Sequence, residues 1–297
     1  MRVLVTGAAG YLGRAVVSAL AEAGHDAVAM VRAERPNIVH ANEVRVADLL
    51  DPITLRRAVD GVDAVCHLAG LTRVRESMTD PLRYFGVNTV GTIALLDAMA
   101  TAEVPRLVFA STGAIYGDVT GRPITEDLPD NPPHPYASSK LAAESAVEAH
   151  DGATVVLRLL NVAGGRDPDP TRLIPRVLSA AARNEPLEVN GDGTTVRDYV
   201  HVADAANAFV AGLEHLPPPG VTERYVIGSG RGTSVRQVVA AVEKVSGRRM
   251  ALTHRPAVPE PNSLVGHPAK AMKQLCWVPR YSEIEAIVGQ MWHVDSR

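Results

Sequence analysis

The sequence predicts a doubly wound α/β fold, a parallel sheet covered by helices on both faces and followed by a smaller C-terminal α/β lobe. Three observations carry that expectation. Short β-branched runs alternate with helix-capable segments through the first half of the chain, the pattern of successive βαβ units. Several of these runs, 2–6, 63–69 and 106–111, are largely apolar rather than strictly alternating, as strands buried on both faces require. A glycine trio opens the first helix directly behind the first strand.

The six predicted strands cover residues 2–6, 27–31, 43–47, 63–69, 106–111 and 154–159. After Gly165 the texture changes, with Pro168, Pro170, Pro175 and the run Pro217-Pro218-Pro219 punctuating shorter elements. Helices are predicted there at 171–183, 202–213, 234–245, 268–275 and 282–292. Residues 1–165 are expected to form the dinucleotide-binding domain, with 198–228 returning to it. Residues 166–197 and 229–297 would form the substrate-binding lobe.

The 297 residues suffice for two such units, and 46% hydrophobic with 21% charged residues is a globular composition. A net charge of -3 and 4% aromatic residues give neither a basic footprint nor stacking platforms, so nucleic acid is excluded as a partner. Cys66 and Cys276, 210 positions apart, form no disulfide framework or metal cluster and are expected as inert core residues; no metal is expected. No apolar run reaches the ~18–20 residues of a membrane span, and Met1-Arg2 leads straight into Val-Leu-Val without a signal-peptide core. The expectation is a cytoplasmic protein with no membrane partner.

The run Thr6-Gly7-Ala8-Ala9-Gly10-Tyr11-Leu12-Gly13 has glycines at i, i+3 and i+6. Such glycines allow a sharp turn, backbone approach to a pyrophosphate and close helix–strand packing, with the positive helix end facing the anion. At the end of the second strand an acidic residue would read the ribose of NAD, but here Val31 and Arg32 stand there. A guanidinium suits a 2′-phosphate, so the cofactor is NAD or NADP, with Arg32 leaning towards NADP. Asp48 is placed either for the adenine edge or as a cap of the next helix.

Tyr136-Ala137-Ser138-Ser139-Lys140 puts a phenol and an ammonium on one helix face, where the cation would favour phenolate. Thr112, at the carboxyl end of the fifth strand, lies where ligands of open α/β sheets bind and would share a substrate oxygen with Tyr136. His67 and His201 read as buried, hydrogen-bonded structural histidines.

These residues resemble the extended short-chain dehydrogenase/reductase family, in particular its nucleotide-sugar epimerase/dehydratase branch similar to 4-epimerases. The resemblance also rests on His67-Leu68-Ala69-Gly70, Val87-Asn88-Thr89-Val90-Gly91-Thr92, Arg158-Leu159-Leu160-Asn161 and Arg197-Asp198-Tyr199-Val200-His201-Val202. It implies a catalytic triad of Thr112, Tyr136 and Lys140, with Asn88 organising the helix and backbone beside it. Cofactor contacts are then expected from Gly7, Gly10, Tyr11, Leu12, Gly13, Arg32, Asp48, Leu49, Leu68, Ala69, Gly70, Asn88, Tyr136 and Lys140. Thr112, Tyr136, Asn161, Arg197 and Arg255 would bind the substrate, Asn161 and Arg197 at its diphosphate. The helices around 82–99 and 137–149 resemble the pair that builds a homodimer interface in the family.

The chain also departs from the family pattern. Arg255 stands near where related sequences place a further phosphate-binding arginine, and His267 replaces a usual Asp. Directly after Thr112, where 4,6-dehydratases carry Asp-Glu, the chain has Gly113 and Ala114, so no acid protonates a leaving hydroxyl and dehydration is disfavoured. The expected activity is NAD(P)-dependent epimerisation of a nucleotide sugar at C4 through a transient 4-keto sugar. The alternatives at this stage are an NADPH-dependent reductase of a keto-sugar or other carbonyl, and a non-catalytic dinucleotide sensor on the same fold.

Overall fold

The computed structural model describes residues 1–34, 38–119, 121–258 and 260–295. Among them, seven parallel strands form one sheet in the order Thr222–Ile227, Ala153–Leu159, Arg106–Thr112, Ala64–His67, Arg2–Thr6, Asp26–Val31, Glu43–Val46. The chain reverses direction across the sheet between Arg2–Thr6 and Ala64–His67, which opens a crevice at the carboxyl ends of the strands.

The two-residue period of the strands sorts the core into two layers. Val3 and Val5 pack with Val16, Val17 and Leu20 of the helix Tyr11–Glu22 and with Phe209 of the helix Val202–Glu214. Leu4 packs on the other face with Leu55, Leu95, Met99 and Val147, from the helices Pro52–Val59, Gly91–Thr101 and Pro135–Glu148. All of these side chains are buried. The burial of both faces accounts for the apolar strand runs.

The seventh strand, Thr222–Ile227, is absent from the sequence expectation. It is an edge strand whose first half is polar and only partly buried, so neither an apolar run nor a strict alternation marks it. The segment 82–99 is likewise not one helix. It runs as Pro81–Tyr84, a π-helical Phe85–Val90 and Gly91–Thr101.

The second lobe is built on Val196–His201, which pairs with Asn161–Ala163, Gly232–Ser234 and Ser263–Leu264. A separate pair joins Leu187–Asn190 to Leu252–Arg255. Its core holds Val177 and Leu178 of Leu173–Arg183, Val238 and Val242 of Val235–Ser246, and Ile287 and Val288 of Ile284–Asp295. Cys66 is buried as expected, but Cys276 is exposed. The chain turns left-handed there (φ 51°) after the helix Ala269–Gln274, and Leu275 and Trp277 on either side take the core positions instead.

Candidate active site

A cavity of about 1280 Å³ lies at the carboxyl edge of the large sheet, between it and the second lobe. Its volume exceeds the ~300–1,000 Å³ of an ordinary small-molecule pocket, enough for two ligands side by side.

One end is the glycine turn. Gly7 sits at φ +69°, and a Cβ there would meet the Ala69 backbone nitrogen at 2.9 Å. A Cβ on Gly13 would lie 2.2 Å from the Gly7 carbonyl oxygen. The loop therefore packs backbone against backbone, and the first turn of Tyr11–Glu22 faces the cavity as a cradle for an anion. Gly10, Tyr11 and Leu12 line this end, with Leu68, Ala69 and Gly70 from the end of the fourth sheet strand. The Tyr11 hydroxyl donates to the Gly164 carbonyl oxygen at 2.5 Å, tying the loop to the start of the second lobe.

Arg32, Asp48 and Leu49 line the cavity at the ends of the next two strands. Arg32 is exposed. Asp48 accepts from the Leu50 amide at 2.9 Å, and capping of Pro52–Val59 falls to Asp51, which accepts from Ile53 and Thr54. Asp48 is thus no helix cap.

The helix carrying Tyr136 starts abruptly. His134 is its N-cap, with Nδ1 accepting from the Ala137 amide at 3.1 Å, and Pro135 occupies the first turn, where its missing N–H costs nothing. The Tyr136 ring is fixed by stacking on His134 (5.9 Å) and by the edge of Tyr84 (6.4 Å). Its phenol and the Thr112 hydroxyl are neighbours that line the same cavity, which brings together two of the three proposed catalytic groups.

Burial raises the pKa of this phenol above its ordinary value; the Thr112 hydroxyl and the Arg172 charge oppose that only in part. The expected cation of Lys140 acts elsewhere. Its Nζ lies 4.0 Å from the Phe109 ring centroid, and burial draws its pKa down to about 7 against the opposing pull of Glu144. His67 is held at about 3 by burial and then by Lys140. It is therefore neutral, bonded to Thr6 and Thr92 at 2.7 and 3.0 Å, and structural. His201 caps Val202–Glu214 and pairs with Gln290.

Asn88 does not line the cavity. Buried in the π-helical turn, it accepts from the Leu71 amide (2.7 Å) and donates to the Leu71 carbonyl and the Ser139 hydroxyl, both at 3.0 Å. It fastens the loop after Gly70 to the Tyr136 helix from behind. Arg255 also stands outside the lining. It is half exposed on Leu252–Arg255 and paired with Glu188. Asn161 and Arg197 do line the cavity, Arg197 with one guanidinium nitrogen on Glu260 at 2.7 Å. Arg172 and Arg176, flanking the start of Leu173–Arg183, line the same wall and were not anticipated. No spacing signal marks them as site residues: the predicted helix 171–183 carries both, but its period does not say that its first turn meets the cavity. Ala114 faces the cavity beside Thr112, while a side chain on Gly113 would collide with Leu160.

A pyrophosphate cradle and a phenol–threonine pair opening into one cavity define an enzyme of the extended short-chain dehydrogenase/reductase class. The chain belongs to the NAD dependent epimerase/dehydratase family, whose model matches residues 3–228. It is 38% identical to the UDP-glucose 4-epimerase of Azospirillum brasilense over 97% of this chain and 90% of that protein. The UDP-glucose-4-epimerase of Stenotrophomonas maltophila, with bound NAD and formylated UDP-arabinopyranose, superposes with a TM-score of 0.91 at 30% identity, covering 99% of this chain and 97% of that one. The Bifidobacterium longum UDP-glucose 4-epimerase in complex with NAD+ and UDP gives 0.89 at 29% identity, covering 99% and 98%. Among the described residues no group of three His, Cys, Asp or Glu side chains is placed to hold a metal, and no helix is long and apolar enough to cross a membrane.

Proposed function

We propose that this chain is an NAD-dependent nucleotide-sugar epimerase that inverts C4 of a UDP-linked sugar. The observation that carries the reading is Thr112 and Tyr136 side by side in a cavity that a glycine cradle bounds at its other end. The cradle fits a dinucleotide pyrophosphate, because the space a Cβ would fill at Gly7 and Gly13 is kept for close backbone packing. When bound, the nicotinamide accepts and returns hydride at C4.

The protein's part is proton transfer and positioning. Tyr136 takes the proton of the C4 hydroxyl and Thr112 shares the hydrogen bond to that oxygen. Lys140, one helical turn further on and lining the same cavity, is the cation on the cofactor side of the phenol, and the same phenol returns the proton after the keto sugar has turned over. Asn161 and Arg197 hold the diphosphate end, and the small side chains at 113 and 114 leave the keto intermediate without an acid to drive elimination. Among the cofactor residues, Asn88 acts through the backbone it fastens. Arg255 reaches the substrate only after leaving Glu188. The proposed dinucleotide-binding unit is residues 1–165 with 198–228 and the proposed substrate lobe 166–197 with 229–297, with Asn161–Ala163 and Val196–His201 crossing that boundary to build the smaller sheet.

Leu82, Val90 and Ile93 expose 82%, 54% and 49% of their surface on the segment before and within Gly91–Thr101. Together with Pro135–Glu148 this apolar face supports a homodimer. The place of action proposed is the cytoplasm. Incubating the NAD-loaded protein with a panel of UDP-hexoses and UDP-pentoses tests the activity: a C4 epimer should form without added coenzyme.

Arg32 supports tolerance of NADP beside NAD. If its guanidinium pairs with a 2′-phosphate, Arg32→Ala should weaken NADP binding by about 1.5–3 kcal/mol, the range for a hydrogen bond to a charged group, and leave NAD affinity unchanged. Parallel titration with both cofactors checks this. Equal loss for both, or loss for neither, would make Arg32 a solvated strand-end residue.

A further inference from the structure

Beneath the proposed triad lies an ion network that the reaction as derived does not use. Glu144 is one helical turn beyond Lys140 and fully buried. Its carboxylate accepts a short hydrogen bond from the hydroxyl of Ser111, the residue before Thr112. It also pairs with Arg158, itself 1% exposed, at 2.6 Å and with Arg224 at 3.3 Å. The other edge of the Arg158 guanidinium holds Asp130 at 2.6 Å, and its carbon lies 4.7 Å from the Tyr116 ring centroid.

Four elements meet on this one carboxylate: the Tyr136/Lys140 helix, the Thr112 strand, the strand Ala153–Leu159 and the edge strand Thr222–Ile227. An ion pair at such depth is a poor way to gain stability, since desolvation of both charges offsets their attraction and an apolar pair of the same volume serves as well. Its presence here calls for another role. The network sits where the relative placement of Thr112 and Tyr136 is fixed.

We propose that Glu144 is a positioning residue of the reaction: through Ser111 it locks the strand end bearing Thr112 to the helix bearing Tyr136, and its charge lies beneath Lys140. The proposal rests on the Thr112/Tyr136/Lys140 reading above. The ionisable groups facing this region are Lys140, Tyr136 and Glu148 on the helix itself, His67 on the neighbouring strand, Tyr84 at the Tyr136 ring, Arg158 and Arg224 on the two strands, and Asp130, Tyr116 and Glu126 around Arg158. Of the proposed triad, Lys140 is the group on which the Glu144 charge acts, opposing the fall that burial imposes.

The sign follows. Removing one negative charge lowers the pKa of every neighbour, so Glu144→Gln should move the whole pH profile of kcat to lower pH, by about one pH unit for a close buried charge. KM for the UDP-sugar should not change. Glu144→Asp keeps the charge and should bring the profile back to its wild-type position. Ser111→Ala keeps the charge but cuts the link to the strand, and should lower kcat about threefold or more at unchanged KM and unchanged profile, as loss of an interaction that acts in the transition state does.

A folded Glu144→Gln protein with a wild-type pH profile overturns the proposal. If Glu144→Gln does not fold, Ser111→Ala decides, and a wild-type kcat there overturns it equally. Tyr136→Phe, run in parallel, separates the two levels. Near-native turnover in that variant removes the triad reading itself, whereas a Phe variant without turnover beside an unmoved Glu144→Gln profile removes this proposal alone.

Discussion

Replacing Tyr136 by Phe is expected to lower turnover by about 10²–10⁴-fold, the usual loss on removing a general acid–base group. Cofactor affinity should stay close to that of the unmodified protein. The substitution isolates the hydroxyl because the ring is held by contacts that Phe preserves, the stack on His134 and the edge of Tyr84. What is lost is the hydroxyl beside Thr112, the proton carrier. Steady-state turnover with a UDP-sugar, together with NAD titration, checks both halves. Near-native turnover would remove Tyr136 from the chemistry and favour a dinucleotide sensor, while equal loss of turnover and NAD binding would point to a collapsed site.

Gly13→Ala should have the second largest effect, and on binding. The new methyl would lie 2.2 Å from the Gly7 carbonyl oxygen and 2.9 Å from Ala8 Cα, both backbone atoms with no rotamer to yield. The helix Tyr11–Glu22 must then back away from the strand Arg2–Thr6. Overpacking of this kind costs about 1–3 kcal/mol, and if the cradle bears it in full, NAD affinity falls roughly 10–100-fold. Calorimetric titration of NAD against the variant and thermal unfolding of both proteins would measure the two contributions. Unchanged affinity would show that the helix end does not hold the pyrophosphate.

The sheet was legible because most of its strands are largely apolar on both faces, and because the glycine trio sits at a strand–helix junction. The seventh was not, since Thr222–Ile227 carries Glu223 and Arg224, whose charges are used by Lys270 and by Glu144 and Glu148. Long-range ion pairing overrode the local pattern there. The i, i+4 spacing of Tyr136 and Lys140 placed both on one helix, but not the depth at which Lys140 lies over Phe109. Spacing carries no measure of burial, and burial sets the direction of both pKa values. Arg172 and Arg176 were missed for a related reason: the helix predicted at 171–183 carries them, but helical period does not report which end of it meets a cavity shared with the other lobe. Glu144 and Arg158, 14 positions apart, meet only because a helix and a strand of the same βαβ unit stack.

The most direct test of the central claim follows the hydrogen at C4. A UDP-sugar deuterated at C4, incubated with the NAD-loaded protein and no added coenzyme, should reach an equilibrium mixture of the two C4 epimers. Each should carry the full deuterium label, because the hydride that leaves C4 is the one that returns. Stoichiometric consumption of NADPH with a keto substrate, with no epimer formed from any sugar in the panel, would contradict the claim and identify the chain as a reductase on the same fold.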